Sequence, residues 1–117
     1  MEENTLDTLE KVKLAVAALE DKKAADIKVL DISEISVIAD FFIIATGANE
    51  PQIKAMVDNV DEILSKRGIK PKSTEGYNNA NWVLLDYGDI IIHIFDEENR
   101  SFYDLERIWR DGKEIEL

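Results

Sequence analysis

The five residues Phe41-Phe42-Ile43-Ile44-Ala45 are apolar on both alternations. Successive side chains of a strand point to opposite faces, so a strand without a polar face needs cover on both sides. This segment therefore belongs in the middle of a sheet, and the rest of the chain has to supply neighbouring strands and covering helices.

Periodicity identifies those neighbours. Leu6, Leu9, Val12, Val16 and Leu19 recur at steps of three or four, which predicts a helix from about Thr5 to Lys22, with Asn4 as N-cap and Asp7 in the first turn. Ile27 to Ile32 reads as a short strand, followed by a polar loop around Ser33 to Ser36. After the turn Thr46-Gly47-Ala48-Asn49, Pro51 opens a second helix with Glu50 as its cap. Its apolar stripe is Ile53, Met56, Val57, Val60, Ile63 and Leu64, and Gly68 stops it.

Ile69 to Thr74 fits only an edge strand because of Pro71. Trp82–Asp86 and Ile90–Phe95 are strands joined by Gly88-Asp89, a type II′ hairpin signature. A last helix is expected from about Arg100 to Trp109, burying Phe102, Leu105, Ile108 and Trp109, before a polar tail from Asp111. The order predicts one α/β domain over residues 1–117, with a mixed sheet of about five strands and helices packed on it.

Charge narrows the partners. Fourteen Lys and Arg stand against 25 Asp and Glu, for a net −11. Proteins hold a phosphate backbone by replacing its counterions with Lys and Arg, so this surface should repel nucleic acid and favour a basic protein. The absence of cysteine removes disulfides, thiol catalysis and Cys-based zinc sites. The acidic start and the shortness of the apolar runs predict a soluble, cytoplasmic protein with no membrane partner.

The residues offer little for catalysis. His93 is the single histidine and shares a strand face with Ile91 and Phe95, the setting of a structural histidine. No serine lies in a G-x-S-x-G elbow. The turn before Pro51 has one glycine and no lysine, and Glu50 sits where a bound anion would, so it reads as a tight turn rather than a phosphate cradle. Asp86 and Asp89 flank the hairpin turn and could be paired ligands for Mg²⁺, or simply turn acids beside a glycine. Lys66, Arg67, Lys70 and Lys72 form the one basic cluster, either complementing a helix C-terminus or making a peripheral touch on RNA.

The C-terminal third has a distinct character. Between Asp86 and Glu116 there are ten acidic residues and four basic ones, with Tyr77, Trp82, Tyr87 and Tyr103 in or near the stretch. Aromatics dominate interface hot spots while charges steer encounters, so this is a candidate protein-recognition surface.

The same residues carry a family resemblance. Glu75-Gly76, Ala80-x-Trp82, Asp86-x-Gly88-Asp89, His93-x-Phe95, Arg100-x-x-Tyr103-x-Leu105-Glu106 and Trp109 occur in that order, with Ala39-Asp40-Phe41 and Thr46-Gly47 upstream. This pattern resembles the ribosomal silencing factor family, also called Iojap-like, over nearly the whole chain. The resemblance implies a nucleotidyltransferase-like fold without catalytic acids, no enzymatic activity and no cofactor. It implies binding to the fourteenth protein on the subunit-joining face of the large ribosomal subunit. The bound factor would block the small subunit and repress translation when nutrients are short.

Carried over residue by residue, the expected contacts are Trp82, Asp86, Tyr87, Gly88, Asp89 and His93, with Glu75 and Asn81 beside them. Asn81 stands where relatives often have an acidic or small residue, and Tyr87 where an aliphatic one is common. The competing reading is a nucleotide- or Mg-binding enzyme using Asp86 and Asp89. A third is a weak homodimer of the free chain through the same surface.

Overall fold

In the computed structural model, which describes residues 7–115, the elements are α1 (Thr8–Asp21), β1 (Ala25–Asp31), β2 (Phe41–Thr46), α2 (Glu50–Ser65), β3 (Ser73–Glu75), β4 (Trp82–Asp86), β5 (Ile90–Phe95), α3 (Glu97–Tyr103), α4 (Leu105–Ile108) and β6 (Lys113–Glu114). The sheet order is β3-β4-β5-β2-β1-β6. Strand β2 lies inside it, parallel to β5 and antiparallel to β1, as its two apolar faces require.

The sheet is mixed, with six strands rather than about five. The extra one, β6, pairs Lys113 and Glu114 with Asp31 and Leu30 inside the expected polar tail. Both of its side chains are exposed, so it has no hydrophobic alternation to betray it. The edge strand β3 is shorter than expected and begins after Pro71, which cannot donate to a ladder.

The two faces carry separate cores. Val12, Ala15, Val16 and Leu19 of α1, with Ile53, Met56, Val57, Val60 and Leu64 of α2, pack on Ile43, Ala45, Val83, Leu85, Ile90, Ile92 and Ile94. The opposite face gathers Leu30, Phe42, Ile44, Ile91 and Phe95 under Ile32, Ala39 and Leu105, with Trp82, Leu84 and Trp109 at its margin. The helices α1 and α2 pack across their side, with Ile27 and Phe41 partly buried at its margin. The short α3 and α4 leave the β4 margin of the other side open.

The helix caps differ from expectation. Asp7, not Asn4, caps α1: its side chain accepts from Glu10 N–H while the Glu10 carboxylate accepts from Asp7 N–H. Asn4, Thr5 and Leu6 lie outside the described residues, and Leu9 is exposed rather than part of the stripe. For α2 the cap is Asn49, whose side chain accepts from Gln52 N–H at 2.8 Å, and Glu50 is already helical. Asparagine supplies an acceptor of the right reach, so it outcompetes the pre-proline position.

The last helix is two. α3 begins at Glu97, capped by Asp96, and ends where Asp104 turns left-handed at φ 49°, ψ 53°, before α4 resumes. This break rotates Phe102 outward, 77% exposed against the expectation that it is buried. Leu105 is buried and Trp109 packs at the edge of the second core. The side chain of Ile108 lies outside what is described.

Candidate partner-binding site

Strand β4 reads Trp82-Val83-Leu84-Leu85-Asp86, and its period of two sorts it cleanly. Val83 and Leu85 enter the core beneath the helices, whereas Trp82, Leu84 and Asp86 are half-buried on the other face. Glu75 of β3 pairs with Leu84, which places it on that open face too, and it is exposed.

Trp82 is held from three sides. Its indole stacks on Phe95 at 5.1 Å between centroids, lies 4.4 Å from the Tyr103 ring, and donates from Nε1 to His93 Nδ1 at 3.0 Å. Since an indole N–H only donates, His93 must carry its proton on Nε2. That Nε2 is buried and has no partner among the described residues. The ring lies edge-on to Phe42 at 4.8 Å and is 4% exposed. Burial pushes its pKa down to about 4. His93 therefore sits beneath the surface and holds the Trp82 indole from below.

Tyr87 is buried as well. It falls on the Val83 and Leu85 alternation and is buried among the helix-side core residues, so it does not share a surface with Trp82. Burial, with a further push from Asp61, raises its hydroxyl well above the usual tyrosine range. Tyr77 sits on the same side, donating to Asp58 at 3.0 Å. The aromatic group of the C-terminal third is thus split between two faces.

Asp86 and Asp89 are likewise divided. Asp86 Oδ1 accepts from Gly88 N–H at 2.8 Å, closing the turn. Asp89 Oδ2 accepts from Thr8 Oγ1 at 2.9 Å and Lys11 Nζ at 3.0 Å, which ties the turn to α1. Gly88 has φ +91°, and a side chain there would meet Lys72. A positive φ at the first turn position is what a type II′ hairpin demands. Asp89 Oδ1 is buried without a partner among the described residues, and among those residues no group of three or more His, Cys, Asp or Glu could hold a metal ion. The turn after β2 is equally closed: Gly47 N–H donates to Phe95 O at 2.9 Å and Ala48 N–H to Gln52 Oε1 at 2.6 Å.

Asn81 is exposed next to the margin, and its carbonyl accepts from Asp96 N–H. Of the basic cluster, Lys66, the C-cap of α2, pairs with Glu62, and Arg67 lines a groove with Lys13, Leu14 and Glu10. Lys70 and Lys72 are exposed on the segment leading to β3.

Three apolar features outside the motifs are left half-buried or exposed. Leu84 was legible, because it alternates with Trp82 and Asp86. Phe102 was hidden by the helix break at Asp104. Val37 and Ile38, both exposed, sit in the loop between β1 and β2, which meets the hairpin turn through Asp40 N–H to Asp89 O at 2.9 Å. Nothing in their local sequence distinguishes them from core residues.

The described residues form an α/β fold with a mixed sheet, backed by helices on one side and offering an aromatic, acid-bordered margin on the other. The comparisons with known proteins make the class specific. Residues 5–117 match the family described as "Ribosomal silencing factor during starvation", and the chain belongs to it. It is 42% identical over 108 residues to the ribosomal silencing factor RsfS of Halalkalibacterium halodurans, covering 92% of each chain. It is 40% identical to the chloroplastic Iojap protein of Zea mays, covering 91% of this chain and 46% of that one. A crystal structure of a Chromobacterium violaceum protein superposes with a TM-score of 0.88 at 35% identity, covering 96% of this chain and 92% of that one. A Bacillus halodurans structure gives 0.84 at 38% identity, covering 94% and 100%. Membership places the chain among regulators of translation acting on the ribosome. Among the described residues, no helix is long and apolar enough to cross a membrane.

Proposed function

We propose that this protein represses translation in the cytoplasm by occupying the subunit-joining face of the large ribosomal subunit, seated on the subunit's fourteenth protein, when nutrients are short. The observation that carries this reading is the half-buried Trp82 margin with Leu84, Tyr103 and the exposed Phe102, edged by Asp86 and Glu75. A large aromatic pre-set by stacking and a hydrogen bond, ringed by acids, suits a basic protein surface.

The contacts in this reading are Trp82, Leu84, Asp86, Glu75, Asn81, Phe102 and Tyr103, with His93, Tyr87, Gly88 and Asp89 shaping them from behind. A net charge of −11 opposes direct seating on RNA, but repulsion from neighbouring phosphates is screened over about 8 Å at physiological salt. Lys66, Arg67, Lys70 and Lys72 then touch ribosomal RNA at the periphery. The action is steric and needs no bond-making. The free chain pairs weakly with itself through the same face.

Sedimentation with purified subunits tests the docking. The chain should travel with large subunits and not with small ones. Travel with neither, at concentrations well above those of the subunits, defeats the reading.

A further inference from the structure

Tyr103 rests on Trp82 because α3 stops at that residue and turns. Yet α3 has seven residues and buries none of them, and so short a helix does not persist by itself. Apart from the Tyr103 ring on Trp82 and Phe95, apolar packing does little to fix its position.

Arg100 is the group placed to do so. Its side chain is 11% exposed. Nη1 donates to Thr46 Oγ1 at 2.7 Å and to the carbonyl oxygen of Asp26. Nη2 and Nε both donate to Glu106 Oε2, at 2.8 and 3.3 Å. One guanidinium therefore joins β1, the end of β2, α3 and α4, across the Asp104 break.

Two of the joined points are unusual backbone. Asp26 lies at φ 50° within the β1 bulge, and Asp104 at φ 49°, conformations that side-chain-bearing residues seldom adopt. Both persist only where their surroundings over-determine them. Burial works to raise the Glu106 carboxyl, but the Arg100 hydrogen bonds and charge outweigh it and hold it below the usual range.

We propose that Arg100 is a positioning residue for the partner-binding margin: by bridging Thr46, Asp26 and Glu106 it sets the angle between α3 and α4, and so seats the Tyr103 ring on Trp82. The proposal deepens the docking reading and relies on it for the affinity readout alone. Lysine cannot replace the group, since a point charge does not reach three directions at once as a planar fork does. The ion pair opens onto a groove of about 400 Å³ lined by Thr46, Asp104 and Glu106. Water can fill the space left by a shorter side chain, so variants should keep the sheet intact.

The test combines ring contacts with binding. In Arg100→Gln and Arg100→Lys, nuclear Overhauser contacts between the Tyr103 and Trp82 rings should disappear while those within β2 and β5 remain. Affinity for large subunits should fall about tenfold, as it should in Tyr103→Ala, with no further fall in the double variant. Glu106→Gln, which keeps the shape and an acceptor, should show a smaller loss in the same direction, and it serves if the Arg100 variants do not fold. Ring contacts that survive these substitutions overturn the proposal, as do losses from Arg100→Gln and Tyr103→Ala that simply multiply. The ring contacts are read without ribosomes, so a failure of docking is separately visible as unchanged binding by Trp82→Ala.

Discussion

Trp82 Nε1–H donates to His93 Nδ1 at 3.0 Å, diagonally across the β4–β5 ladder. This bond joins the most exposed aromatic feature of β4 to the one buried imidazole of the chain. It fixes the indole in the plane from which it stacks on Phe95. It also requires that His93 stay neutral, since imidazolium has no acceptor to offer.

The first consequence is a titration. With its pKa pushed down from 6.5 to about 4 by burial, His93 resists protonation in the folded chain but not in the unfolded one. Stability is therefore fully present above pH 6.5 and declines as pH falls toward 4, by up to about 3 kcal/mol from this group. The single histidine gives a single imidazole resonance to follow. Its midpoint should lie near 4, and a midpoint near 6.5 would show that the imidazole is accessible to water.

Trp82→Phe separates the hydrogen bond from the ring. It keeps an aromatic for Phe95 and Tyr103 but strands a buried acceptor, and should lower stability by about 1–3 kcal/mol in chemical denaturation. Stability equal to wild type would mean the bond contributes nothing net.

Phe102 separates binding from folding. Being exposed, it should tolerate Phe102→Ala with a change in stability within about 0.5 kcal/mol. As part of an aromatic interface, its loss should weaken large-subunit association by about 2 kcal/mol. Unchanged affinity in a sedimentation titration would remove it from the contact surface.

Asp89 separates anchoring from contact. Asp89→Ala leaves Lys11 and Thr8 without their shared acceptor, and should reduce stability by about 1–2 kcal/mol. Binding to large subunits should change less than in Trp82→Ala. A larger binding defect than that of Trp82→Ala would return Asp89 to the contact surface.

Local chemistry made most of the framework legible. Phe41–Ala45 could only be central, Trp82–Asp86 and Ile90–Phe95 alternate plainly, and Pro51 and Gly68 bracket α2. The alternation through Val83, Leu85 and Tyr87 also held the information that Tyr87 points away from Trp82. What the sequence hid depends on distant partners. Asp89 is committed to Lys11, 78 positions away, and the Asp104 break is sustained by Arg100 bonds to Thr46 and Asp26. β6 is a two-residue pairing without an apolar side chain to announce it.

In the proposed function, this surface keeps the ribosomal subunits apart. Light scattering of purified large and small subunits mixed in the presence of the protein measures this directly. A saturating amount should abolish the rise in scattering, and Trp82→Ala should restore it. Joining at the full rate and extent with saturating wild-type protein would contradict it.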